Sequence, residues 1–215
     1  SSPASESLLV PTILSSLYFM SNRTASQARN TAETKIKLSL DLDGSGKSSI
    51  ATRIPFFDHM LTLFSRHSLI DLNVEVDGDV EVDFHHTVED TGIVLGECIK
   101  TAMGDKDGIR RYGHAYVPMD ETLCRSVIDL SNRPQLELRT PKQTADAQNF
   151  PFTLVEEFCR ALSSNLRCNL HIEVLYGRDG HHVAESVFKS MAVALRIASE
   201  NDPRREGIPS TKEVL

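Results

Sequence analysis

From Thr34 to Leu42 polar and apolar residues alternate, the period of a strand with one buried face. Asp43-Gly44-Ser45-Gly46 breaks the run as a turn, and a second strand ends near Ile54, so the two are expected to pair as a hairpin. Pro55 can open a helix to about Arg66, with Phe56, Met60, Leu63 and Phe64 on one face. Alternation returns over Leu69–Val76 and again over Val80–Phe84. Val88, Leu95, Ile99 and Ala102 then mark a helix from about His86 to Met103. The second half runs in the same order. Strands are expected at Ala115–Pro118, Leu123–Leu130 and Leu136–Arg139, then a helix from Phe152 to about Asn165 and a strand over Cys168–Leu175. A last helix, from about His182 to Ser199, is lined by Val187, Met191, Ala194 and Ala198.

The two halves superimpose as text. Without gaps, Phe64 falls on Leu162, Leu72 on Leu170 and Val74 on Ile172, and the same alignment puts His59 on Glu157. A two-residue deletion in the next loop brings His85-His86-Thr87-Val88-Glu89 onto His181-His182-Val183-Ala184-Glu185. Strands alternating with helices make the class α/β, and the fixed order makes the chain an internally duplicated α/β unit.

Composition narrows the function classes. The 215 residues are 40% hydrophobic and 25% charged, an ordinary globular balance. A net charge of −7 without a basic stripe argues against nucleic acid as a partner. Leu8–Met20 is too short to span a bilayer and lacks a basic start, so no membrane or signal segment is expected. Met20 resembles a natural start, so residues 1–19 are expected to be extraneous upstream sequence. Cys98, Cys124, Cys159 and Cys168 form no CxxC pair, which fits a reducing, cytoplasmic setting; plastid delivery stays open.

The histidines change the picture most. On a helix, residues i and i+4 share a face, so His85 with Glu89 and His181 with Glu185 converge, as roughly do His86 with Glu89 and His182 with Glu185. Adjacent histidines diverge by about 100°, so each HHxxE segment offers ligands to two ions. The repeat therefore supplies two sets of four candidates, His59/His85/His86/Glu89 and Glu157/His181/His182/Glu185. Imidazole with carboxylate suits Mn²⁺, Fe²⁺ or Zn²⁺, and the lack of thiolates disfavours structural zinc. Asp83 or Asp90 is a candidate to orient a ligand imidazole. His114 and His171 lack such company and are expected to be ordinary histidines.

PFFDHML at 55–61, DFHHTVEDTG at 83–92, GIRRYG at 108–113, PMDETL at 118–123, HHVAESVFK at 181–189 and IPSTKEVL at 208–215 together resemble the imidazoleglycerol-phosphate dehydratase family, from about Glu33 to Leu215. The resemblance implies two mixed sheets with the helices packed between them. It also implies a dehydratase domain over 33–215, with halves at about 33–107 and 108–200, behind a non-catalytic extension at 1–32. It implies two Mn²⁺ per active site, held by His59, His85, His86, Glu89, His181, His182 and Glu185. Glu157 stands where one form of the family has a histidine ligand, and a carboxylate can take that place at Mn²⁺. The family assembles as a 24-subunit shell with active sites between subunits.

The reaction so implied is dehydration of imidazoleglycerol phosphate to imidazole acetol phosphate in histidine biosynthesis, through a metal-stabilised imidazolate and a diazafulvene. Glu33 matches a functional family glutamate and is the expected proton-transfer group, with Glu185 a second catalytic candidate beside its ligand role. His67, Arg111, Arg133, Lys189, Ser210 and Lys212 match substrate contacts, where guanidinium, ammonium and hydroxyl suit a phosphate. The C-terminal segment is expected to cover bound substrate. Arg110, Arg204 and Arg205 have no such match. Two rivals remain at this level: a non-catalytic metal-binding assembly, and a hydrolase that uses a metal-bound hydroxide.

Overall fold

The computed structural model describes residues 23–142, 144–212 and 214–215; the segment Leu8–Met20 and the start expected at Met20 lie outside them. Twelve elements follow in order: β1 Thr24–Asn30, β2 Thr34–Asp41, β3 Ser48–Ala51, α1 Pro55–Ser68, β4 Asp71–Gly78, α2 His85–Met103, β5 Tyr112–Met119, β6 Thr122–Asp129, β7 Gln135–Arg139, α3 Phe152–Leu166, β8 Asn169–Tyr176 and α4 Gly180–Ser199. They build two four-stranded mixed sheets, ordered β1-β2-β4-β3 and β5-β6-β8-β7, so the duplication holds strand for strand.

Each sheet turns one face inward. Ile36, Leu38 and Leu40 of β2 lie opposite Val76, Val74 and Leu72 of β4, all buried. The helices fill the space between the sheets. Helix α2 packs on β1 and β2, and α4 on β5 and β6. The halves join where α2 meets α3 and α1 meets α4. The α2–α3 contact is close: a Cβ on Gly92 would lie 2.9 Å from Ala161 Cβ, and one on Gly96 would lie 2.8 Å from Leu162 O.

Three expectations need correction. The hairpin does not form, because β4 inserts between β2 and β3 and pairs antiparallel with the first and parallel with the second. The turn is tied to β4 instead: Ser45 N and Lys47 N both donate to Asp71 Oδ1 at 2.8 Å. Val80–Phe84 is no strand but a turn closed by Val82 N to Asp79 O at 2.8 Å, leaving Val82 74% exposed. Strand pairing in the first half begins at Thr24, ahead of the boundary expected at residue 33. Strand β1 carries little apolar alternation because two of its three inward residues are polar: Gln27 donates to Glu97 and Arg29 pairs with Asp90 on α2, leaving only Ala25 against the core.

Candidate functional site

Both HHxxE segments open a helix. Asp83 Oδ1 accepts from His85 N at 2.8 Å where α2 starts. Asp179 caps α4, accepting from His181 N and His182 N at 2.8 and 3.1 Å. These bonds hold each histidine pair at a helix start. The ring planes are tilted 86° to each other in the first pair and 83° in the second. Phe150 braces both ends. It packs on Phe84, next to His85, and on Phe56, whose ring meets His181 edge-on at 5.2 Å. The patterning of the sequence did not single out Phe150.

Because α1 lies on α4, the ligand candidates regroup across the repeat. His59 Nε2 and His181 Nε2 each lie 2.9 Å from Glu185 Oε1, and Lys189 Nζ takes Glu185 Oε2 at 2.5 Å. His59, His181 and Glu185 offer one donor atom each within 4.8 Å of one another. Burial raises the affinity of the Glu185 carboxyl for its proton, but the bonds from Lys189, His59 and His181 outweigh it and hold the pKa down at about 2. In the first half His85 Nε2 reaches Glu89 Oε2 at 3.5 Å, with no hydrogen bond or ion pair to Glu157 among the described residues. The second histidines stand apart from both glutamates. His86 Nδ1 meets Asp79 Oδ2 at 3.0 Å, and His182 Nδ1 meets Glu121 Oε2 at 2.7 Å; each bond raises the imidazole pKa. Asp79 and Glu121 therefore orient these two rings, not Asp83, which accepts from His85 N, or Asp90, which binds Arg29 and Thr34. Their signal in the sequence is slight: an acidic residue at the end of β4 and another in the β5–β6 turn.

The donor set fits a divalent cation. Three nitrogen and oxygen donors converge already, and the orienting carboxylates leave the Nε2 atoms of His86 and His182 facing outward.

The expected phosphate contacts gather elsewhere. Arg111, Arg133, Ser210 and Lys212 line one cleft of about 760 Å³ with Asn132 and Pro209. Arg111 is already engaged, donating to both oxygens of Asp129 and to Pro209 O at 2.9 Å, so it also anchors the C-terminal segment. Arg133 and Lys212 are exposed. Lys189 is not in this cleft; its ammonium lies on Glu185. His67 lies on α1 near Lys189 and Glu185, and burial, then Lys189, lowers its pKa. Glu33 sits just before β2, half exposed, with Oε1 3.7 Å from His86 Nε2. Cys98, Cys124, Cys159 and Cys168 are free and buried, away from this chemistry. No helix of the described residues is long and apolar enough to cross a membrane.

Comparison with known proteins points to one family. Residues 52–195 match the family model described as imidazoleglycerol-phosphate dehydratase. A protein of that name from Akkermansia muciniphila is 64% identical over 195 residues, covering 90% of this chain and all (100%) of the relative. One from Methylorubrum populi is 53% identical over 194 residues, covering 90% of this chain and 100% of the relative. The crystal structure of the Staphylococcus aureus imidazoleglycerol-phosphate dehydratase superimposes with a TM-score of 0.75 at 38% identity, covering 83% of this chain and 99% of that one. That of IGPD from Pyrococcus furiosus gives 0.76 at 34%, covering 88% and 100%. By motif, fold and overall identity, this chain belongs to the imidazoleglycerol-phosphate dehydratase family.

Proposed function

We propose that this chain dehydrates imidazoleglycerol phosphate to imidazole acetol phosphate, a step of histidine biosynthesis, using Mn²⁺. The observation that carries the reading is the meeting of His59, His181 and Glu185 around one point near the start of α4, together with a cationic cleft suited to a phosphate near the end of the same helix. The ligands would be His59, His85, His86, Glu89, Glu157, His181, His182 and Glu185, shared between two ions per site. Bound there, the ions supply Lewis-acid stabilisation of charge on the substrate's imidazole ring.

The chain's own groups supply the rest. Loss of water moves a proton from one carbon and a hydroxyl from its neighbour, so the site needs a carboxylate free to exchange a proton. Glu185 is committed to two histidines and Lys189. Glu33, exposed and facing His86, is free for that task. Arg133, Ser210 and Lys212 hold the phosphate, with Arg111 fixing the segment that carries two of them.

One chain does not complete a site. Helix α4 spans 20 residues, about 30 Å. His181 and Glu185 lie near its start, and the cleft begins where Arg111 N donates to Ala198 O in its last turn. An imidazole ring joined to a phosphate by a glycerol chain is far shorter. The substrate is thus bound between copies, which supports a homo-oligomer, and the 24-subunit shell is the form proposed. The four free thiols suit a cytoplasmic location.

Conversion of imidazoleglycerol phosphate by chelator-stripped protein, before and after Mn²⁺ is restored, tests the reading. Activity that disappears and returns supports it. Inactivity with Mn²⁺ demonstrably rebound rejects the dehydratase in favour of a metal-binding assembly.

A further inference from the structure

In the turn between β5 and β6, Glu121 is held from two sides. Its Oε1 accepts from Asp179 N at 2.9 Å, Arg178 N at 3.1 Å and Thr122 Oγ1 at 3.1 Å. Its Oε2 faces His182 Nδ1 at 2.7 Å. Three donors converge on Oε1, an environment that suits an ionised carboxylate and not a carboxylic acid. An ionised carboxylate only accepts, so Nδ1 must carry the proton, and in the neutral ring Nε2 is bare. The nearest carboxylate to that nitrogen, Asp120 Oδ2, is 3.7 Å away, too far for a hydrogen bond.

We propose that Glu121 is a positioning residue that locks His182 in the Nδ1–H tautomer and so presents a bare Nε2 to a divalent cation. The proposal rests on the reading of His182 as a metal ligand. The first half supports it by contrast. Thr34 and Thr122 open the equivalent strands β2 and β6, so Glu33 occupies the position of Glu121. Yet Glu33 faces the Nε2 side of His86, and Asp79 takes Nδ1 instead. The duplicated position has divided into a free carboxylate in one half and an anchored one in the other.

The anchoring makes a near-isosteric variant decisive. In Glu121→Gln the two backbone N–H groups require the amide oxygen at the Oε1 position, which turns the NH₂ toward Nδ1. The ring must then accept there, its proton moves to Nε2, and the lone pair for the metal is lost. In Asp79→Asn no backbone donor imposes an orientation. The carboxylate of Asp79 meets only His86 among the described residues, so the amide oxygen can turn to Nδ1 and the tautomer stays.

Solid-state NMR of the full-length, metal-stripped protein with ¹⁵N-labelled histidine reads the tautomer directly, with His182 assigned by its loss in His182→Asn. The expected result is Nδ1–H for His182 in the wild type and Nε2–H in Glu121→Gln, with the His86 tautomer unchanged in Asp79→Asn. Mn²⁺ titration followed by electron paramagnetic resonance should show affinity reduced about 10- to 100-fold in Glu121→Gln. The loss should match that of His182→Asn and grow no further in the double variant. An Nε2–H signal for His182 in the wild type overturns the proposal without any variant having to fold. An unchanged tautomer in Glu121→Gln, or additive losses in the double variant, also overturns it. A wild type that takes up no Mn²⁺ while Glu121→Gln still moves the proton rejects the metal reading alone and leaves Glu121's control of the ring standing.

Discussion

The two HHxxE segments have the same spacing and begin equivalent helices, yet their glutamates live in different surroundings. The Glu185 side chain is 7% exposed and bonded to His59, His181 and Lys189. The Glu89 side chain is 44% exposed and reaches only His85, at 3.5 Å. Two substitutions between the halves account for the difference. Lys189, four residues after Glu185, has Ile93 as its counterpart, and His59 has Glu157. Among the described residues Glu157 makes no hydrogen bond or ion pair with Glu89, whereas the imidazole of His59 bonds to Glu185 directly. Duplication thus kept the scaffold while closing one cluster on its own partners and leaving the other exposed.

Glu185→Ala should break the contrast most severely. It strands the largely buried Lys189 ammonium and both imidazoles, at a cost of about 3–5 kcal/mol in denaturant unfolding. It should also lower kcat/KM by at least about 1,000-fold if this carboxylate serves the reaction. Glu89→Ala should cost no more than about 1 kcal/mol in the same unfolding measurement, since its pair is exposed. Equal stability losses in the two variants would abolish the distinction. Gly96→Ala should come next, because its new Cβ meets Leu162 O and Leu166 N at 2.8 Å; overpacking α2 against α3 should cost about 1–3 kcal/mol.

Glu157→His sharpens the comparison by giving the open cluster the residue found in the closed one. Calorimetry should show tighter binding of the more weakly held Mn²⁺, by up to about tenfold, a change of at most ~1.4 kcal/mol. Unchanged binding at both ions would remove Glu157 from the ligand set.

The smallest expected effect is on pH dependence. The Glu185 pKa is lowered from 4.5 to about 2 on folding, so its contribution to stability is full above 4.5 and is lost as pH falls toward 2. Urea midpoints across that range should therefore fall more steeply for the wild type than for Glu185→Gln. Parallel curves would show that this carboxylate is not what acid attacks.

Local rules made much of the fold legible. Apolar period and turn residues place all four helices within about two residues, and the repeat order forecasts two equivalent sheets. They failed where pairing is non-local. Nothing in Thr34–Ile54 says that Asp71–Gly78 will enter between its two strands. Strand β1 was invisible because Gln27 and Arg29 take polar partners on α2 instead of burying apolar side chains. Orienting carboxylates were expected, but the nearest candidates in sequence, Asp83 and Asp90, proved to have other work.

The order of residues alone singles out candidates for the chemistry, since His85, His86, Glu89 and their second-half copies form a pattern that no core packing requires. How they combine is a matter of packing. Aligning the halves groups His59 with His85 and Glu89, but the seating of α1 on α4 delivers it to His181 and Glu185. Burial of the apolar faces of α1 and α4 drives that contact, between segments more than a hundred residues apart (126 from His59 to Glu185). A period read along the chain describes which face a helix hides, not which helix it hides it against.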